Sequence, residues 1–169
     1  MEGYEIDSIL STMEIVYDTR EQPNARMEQR LSSMQVPVIR EKLDFGDYTA
    51  RFAVNNEFIT LPVVVERKMS LDELEQCFTR GRDRFAREFD RARDAGAKTY
   101  LLVEGGSWGK ILNHKYRSKM SSAAFLASLT AWMARYGVTV VFCDARESGR
   151  LIKEILYREA KEWLSYAEF

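Results

Sequence analysis

The chain has 169 residues, 46% of them hydrophobic and 30% charged, with nine glycines and three prolines. That size and balance fit one globular domain with a buried core and exclude collagen-like, low-complexity and strongly disordered classes. A formal net charge of −1 offers no bulk attraction for phosphate, so a nucleic-acid partner would have to be met by a local basic surface.

At the start of the chain, MEGYEIDSIL has neither a basic leader nor a long apolar run, and no later stretch approaches the ~20 apolar residues of a membrane span. A cytoplasmic protein without a membrane partner is expected, with a short, loose N-terminus over residues 1–12 and one continuous domain over residues 13–169. MEIVYD (Met13–Asp18) has the β-branched and aromatic content of a strand ending in an acid. NARMEQRLSSMQ suits a helix, with Asn24 as N-cap and Met27, Leu31 and Met34 at helical spacing. A second strand is expected near Val36 to Leu43. After Gly46 another strand begins, Asn55-Asn56 reads as a hairpin turn, and FITLPVVVERK returns with the buried run Val63-Val64-Val65. Ser70 and Glu73 form a capping box for the next helix, and Phe85, Phe89 and Ala92 mark one face of its successor, closed by Gly96. KTYLLVEGG is a buried strand, Ser121 to Tyr136 an amphipathic helix, VTVVFCD the last strand, and Ser148 to Trp163 a closing helix. This alternation predicts an α/β fold, a mixed β-sheet with helices on both faces.

The rarest residue types narrow the chemistry. The two cysteines, Cys77 and Cys143, lie far apart with no CxxC partner, which indicates buried reduced thiols rather than a zinc site or a disulfide framework. With a single histidine, His114, any metal should be hard and oxygen-bound, like magnesium or manganese. No GxxxxGK loop is present, so nucleotide hydrolysis is not expected. The Phe125, Trp132 and Tyr136 stripe reads as core, and Glu104-Gly105-Gly106 as a strand end bordering the site. Basic side chains concentrate in Arg80–Arg93, which carries six arginines among three acids, and in HKYRSK (His114–Lys119).

The informative constellation is Asp47 and, after eighteen intervening residues, Glu66 and Lys68. Paired antiparallel strands would bring the two carboxylates and the lysine to one end of a sheet, with residues 66 and 68 on the same face. Phosphodiester hydrolysis needs such a set. Magnesium takes one or two carboxylates plus water and phosphate oxygens, and a lysine can orient water or offset developing charge. A GD pair alone is ordinarily a turn, and ERK alone a strand end. Their joint placement on a hairpin is what carries the reading.

GDY at Gly46–Tyr48 and VERKMSLD at Val65–Asp72 resemble the GDxnERKxxxD signature of XPF-type structure-specific endonucleases, within the PD-(D/E)XK restriction-endonuclease-like superfamily. IVYDTRE (Ile15–Glu21) resembles the family's first strand, and GRDRFAREFDR and YLLVEGG resemble the helix and strand that follow the signature. The likeness runs from about Met13 to Gly106. It implies a restriction-endonuclease-like fold and a metal-dependent DNA endonuclease using magnesium or manganese. The implied catalytic residues are Asp47, Glu66, Arg67, Lys68 and Asp72, with Asp47, Glu66 and Asp18 as metal ligands and Glu21 as a nearby acid. Arg20, Arg82, Lys115 and Arg117 are the candidates for DNA contact. The implied substrate is branched or partly single-stranded DNA and the implied assembly a homodimer. The chain carries neither the helix-hairpin-helix domain nor the helicase of the family's large members, so a separate DNA-binding protein enters as a partner. Two rivals stand beside this reading: a catalytically silent DNA-binding or scaffold module, and a phage-type recombination or restriction nuclease.

Overall fold

The computed structural model describes residues 1–167, so the last two residues of the expected 13–169 domain lie outside it. Seven strands form one sheet: β1 (Glu14–Tyr17), β2 (Val38–Arg40), β3 (Tyr48–Val54), β4 (Glu57–Thr60), β5 (Val63–Lys68), β6 (Lys98–Glu104) and β7 (Thr139–Cys143). Their order is β2-β1-β3-β5-β6-β7, with β4 paired to the outer half of β3. β1 runs parallel to β2, β5 to β6 and β6 to β7, while β3 is antiparallel to β1 and β5. One reversed strand therefore brings its own beginning to the edge where β1, β5 and β6 end. Carboxyl ends of parallel strands are where α/β sheets ordinarily place their sites.

The expected hairpin is present. Asn55 and Asn56 both adopt left-handed φ, 51° and 66°, as a two-residue primed turn requires. The returning strand is interrupted at Leu61-Pro62, so β4 pairs with the far half of β3 and β5 reaches it only at Tyr48↔Val65. Proline removes a ladder donor, which accounts for the break.

Helices cover both faces. α1 (Gly3–Leu10), α2 (Ala25–Met34) and α7 (Ser148–Tyr166) pack on one face over Ile15, Tyr48, Ala50, Phe52, Val65 and Leu102. α3 (Leu71–Phe78), α4 (Arg82–Asp94), α5 (Trp108–Leu112) and α6 (Ser122–Tyr136) pack on the other over Leu101 and Val103, around Phe78, Phe85, Phe89, Phe125 and Trp132. The aromatic stripe of α6 is core, as read from its spacing. The N-caps hold as well, Asn24 Oδ1 accepting from Met27 N–H at 2.9 Å and Ser70 Oγ from Glu73 N–H at 3.1 Å, but the expected box is only half closed, since the Glu73 carboxylate takes the Met69 N–H at 2.7 Å rather than that of Ser70.

Residues 1–12 are not a loose terminus. Gly3–Leu10 is helical, closed by reciprocal bonds between Glu2 and Glu5, and Ile6 and Leu10 are each 5% exposed. Ile6, Ile9 and Leu10 fall at i, i+3 and i+4, so one side of this turn-and-a-half is apolar and seals the core beneath α7. Among the described residues, no helix is long and apolar enough to cross a membrane.

Candidate active site

Along β5 the side chains alternate. Val63, Val65 and Arg67 face α2 and α7, whereas Glu66 and Lys68 face α3 and α4. Strand register thus separates Arg67 from its neighbours, yet the strand ends here and all three side chains line one cleft of about 640 Å³. Asp47, in the turn before β3, enters from the opposite strand. Its N–H donates to Val65 O at 2.9 Å, and its Oδ2 accepts from Arg67 N–H at 2.7 Å. Gly46 makes that turn possible, since its φ is +72° and a Cβ would stand 2.7 Å from Val64 Cβ.

Lys68 Nζ is 2.9 Å from Glu66 Oε1 and sits 5.2 Å from the centroid of Phe85. Burial works against its charge, but Glu66 and Asp47 outweigh that and hold its pKa well above the ordinary lysine value. In this arrangement Lys68 is held as the ammonium, which suits it to offsetting negative charge. Asp47 is pushed well above the carboxylate range by burial and then by the charges of Glu66 and Glu21. Burial raises Glu66 also, against the pull of Lys68. Two desolvated carboxylates that resist ionising together are the donor set a divalent cation would relieve. Among the described residues no three His, Cys, Asp or Glu side chains gather as a metal cluster; a hard ion completed by water and phosphate oxygens needs only one or two carboxylates, and Asp47 and Glu66 both line this cleft.

Behind this pair lies a second, buried layer. Arg67 reaches Glu104 Oε1 at 3.2 Å and Glu21 Oε2 at 3.5 Å. Neither contact is aligned as a hydrogen bond through Arg67 Nε or Glu104 Oε1, and both atoms are left buried without one. Glu21 Oε2 in turn accepts from the Tyr48 hydroxyl at 2.7 Å, which itself accepts from Arg30 Nε at 3.0 Å. Glu104 borders the site, as its place at the end of a buried strand suggested.

Other expected residues are placed differently. Asp18 is fully buried and takes hydrogen bonds from Leu43 N–H, Arg20 N–H and Arg20 Nε. Burial tends to raise its pKa, but those donors hold it below the ordinary value. Asp18 thus braces the turn after β1, and it is not among the side chains that line the cleft. Asp72 points out of the cleft, its Oδ1 accepting from Arg117 N–H at 2.8 Å and Ser118 N–H at 2.9 Å. It anchors the loop after α5 and lines a neighbouring hollow rather than the cleft. Arg82 lies 5.8 Å above the Trp132 ring, outside the cleft, while Arg80 and Arg84 line it. The helix phase decides this, since α3 and α4 break at Thr79–Gly81 and rotate the arginines. Arg20 lines the cleft but is tied to Asp18, Glu88 (2.8 Å) and Gly46 O, so it serves first as a strut. Lys115 and Arg117 are exposed on the loop after α5. Cys77, read as buried, is half-buried in the cleft wall, and Cys143 is half-buried at the end of β7.

Two residues escaped the sequence reading although a signal was present. Glu88 stands between Phe85 and Phe89 on the buried face of α4, and Arg30 shares the buried face of α2 with Met27 and Met34. A charged residue in phase with an apolar stripe marks a buried ion pair.

A mixed sheet clad by helices on both faces, with two acids and a lysine meeting at the carboxyl edge, is the architecture of restriction-endonuclease-like proteins. The ERCC4 domain family model matches residues 17–155, and the chain belongs to that family. Its fold is similar to XPF from Aeropyrum pernix, with a TM-score of 0.61 and 23% identity over 90% of this chain and 70% of that one. A structure of XPF from Aeropyrum pernix in complex with DNA is matched at a TM-score of 0.60 and 23% identity, over 88% of this chain and 65% of that one. No curated protein sequence matches.

Proposed function

We propose that this chain is a divalent-metal-dependent DNA endonuclease that hydrolyses phosphodiester bonds in branched or partly single-stranded DNA, with magnesium or manganese held by Asp47 and Glu66. The observation that carries the reading is the convergence of those carboxylates with the Lys68 ammonium, 2.9 Å from Glu66, on the floor of an open cleft. Membership of the ERCC4 family and a fold shared with a protein solved in complex with DNA support it.

In this scheme water attacks phosphorus as the bond to the departing sugar oxygen breaks, and the proton the water gives up is matched by one taken up by that oxygen, both exchanged with solvent in the open cleft. Asp47 and Glu66 would hold a divalent cation, which when bound would neutralise phosphate charge and make a water more acidic. Lys68, held 2.9 Å from Glu66, donates a hydrogen bond to an oxygen on which charge builds. Arg67, clamped between Glu21 and Glu104, presents a guanidinium to the phosphate and through its own N–H fixes the Asp47 carboxylate. Two copies pairing through this domain, and a separate DNA-binding protein directing the cut, belong to the same proposal.

The test is cleavage of labelled flap, fork, junction and linear duplex DNA in magnesium, manganese or chelator, with the Glu66→Gln and Lys68→Ala variants alongside. Each variant should lose at least ~100-fold in rate, the scale of removing one charge-stabilising donor, while DNA binding is retained. Equal residual cutting in both would assign the activity to a contaminant, and binding without cutting by the native chain would favour the silent scaffold. Light scattering on the same samples reads the pairing.

A further inference from the structure

The catalytic cleft borders a second basin of about 780 Å³, Gln76 of α3 and Arg80 just after it lining both. The basin collects cations from three separate parts of the chain: Arg26 at the start of α2, Arg80 after α3, and Arg117 and Lys119 on the loop after α5. All four are exposed, and none forms an ion pair among the described residues. Against them the rim sets Glu75 and Asp72, and the Asp72 carboxylate is occupied by two backbone N–H groups.

Four unpaired cations held near one another repel, so the arrangement costs free energy unless an anion lies among them. The loop that supplies two of them is unusually fixed for an exposed segment. Asp72 holds its backbone at residues 117 and 118, the His114 ring stacks on Tyr116 with centroids 4.2 Å apart, and His114 Nε2 bonds Ser118 O at 2.8 Å. The Tyr116 hydroxyl closes the turn on Met120 O at 2.7 Å. A loop braced at so many points presents Arg117 and Lys119 at set positions, as recognition of a repeating phosphate backbone requires and a merely soluble surface does not.

We infer that the basin is the second half of the DNA-binding surface: it grips the phosphates of the strand leaving the cleft, and Asp72 is the positioning residue that holds its basic loop. This rests on the nuclease reading for the identity of the polymer, and the measurements separate the two. Binding of a labelled fork is followed by anisotropy across a salt series in chelator, so that no cutting intervenes. For the triple variant Arg26→Ala, Arg117→Ala, Lys119→Ala, affinity should fall at least tenfold and the slope of log K against log salt should shrink by roughly 2, at ~0.7–0.9 per phosphate contact. A triple variant on α7, Lys153→Ala, Arg158→Ala, Lys161→Ala, makes the same change in net charge and should leave the slope unaltered. Equal slopes for the native chain and the basin variant, or equal losses from the two triples, would overturn the inference.

Asp72 is tested by a pair. Asn can still accept both N–H bonds, so Asp72→Asn should retain native affinity while Asp72→Ala loses several-fold, the loss falling in KM rather than kcat. Failure of both variants in kcat would return Asp72 to the chemistry and remove it from the grip. A native chain that binds but never cuts refutes the nuclease and leaves the basin standing, whereas cutting with an unmoved salt slope does the reverse.

Discussion

Asp47 is the residue on which the site's electrostatics turn. Its carboxyl is recessed between Glu66 and Glu21, and burial with those two charges raises its pKa, so the folded chain favours the neutral form where the unfolded chain ionises. The resulting loss of stability is absent below the ordinary carboxylate pKa and grows as pH rises toward the folded value. Asp47→Asn, which preserves an acceptor for the Arg67 N–H, should therefore raise the melting temperature of the chelated protein at neutral pH. A gain of ~1 kcal/mol corresponds to roughly 2–4 °C in a chain of this size. The gain should shrink as pH approaches the carboxylate range, and an unchanged melting point at neutral pH would contradict the assignment. Lys68 shows the opposite balance, its charge secured by the same acids that oppose one another. Asp47, Glu66 and Lys68 were legible because a motif with fixed spacing named them. Glu88 and Arg30 were legible in principle, as charges in phase with apolar stripes, but nothing local gives their partners.

At the scale of elements, the site depends on pieces that never touch it. Helix α1 caps the core under α7, and its two buried side chains are the reason. Truncating both, Ile6→Ala with Leu10→Ala, should cost about 2 kcal/mol or more per site in a denaturant titration, whereas a loose segment would show nothing. The crossing of α2 and α7 is closer still. A Cβ on Gly149 would collide with Arg30 O and Ser33 Oγ, backbone and side chain of the helix that carries the Arg30 anchor for Tyr48. Gly149→Ala should thus destabilise by about 1–3 kcal/mol, the range of core overpacking. It should also lower turnover, because Arg30, Tyr48, Glu21 and Arg67 form one chain of contacts ending at Asp47. Native stability with native turnover in that variant would show the crossing to be slack. Two successive helices were legible here, but not the residue at which one ends and the next begins, and that boundary, through helix phase, puts Arg80 and Arg84 into the cleft in place of Arg82.

Over the whole molecule, two hydrophobic layers share a single sheet, and the charged cluster lies at the edge where both layers end. A ligand that neutralises the cluster binds the folded chain alone and should stabilise all of it. At a divalent-cation concentration one hundred times its dissociation constant the gain is ~2.7 kcal/mol. Magnesium or manganese should therefore raise the melting temperature of the native chain in a concentration-dependent manner and have little effect on a chain carrying both Asp47→Asn and Glu66→Gln. An equal rise in the two proteins would place the ion elsewhere.

The sequence by itself determined the α/β class, most strands and helices of the core but not α1, the Asn55-Asn56 turn and the acid, acid, lysine set. Each of these is written in local periodicity or in short-range spacing, and the free energy of burying an apolar stripe is decided within a few turns of chain. Only the tertiary structure decided that Asp18 and Asp72 serve as braces, that Arg67 shares a cleft with residues on the other face of its strand, and that four cations from three segments meet in one basin. Those outcomes follow from which donor stands within about 3 Å of a given carboxylate, and distances between segments remote in sequence are set by packing rather than by any local pattern.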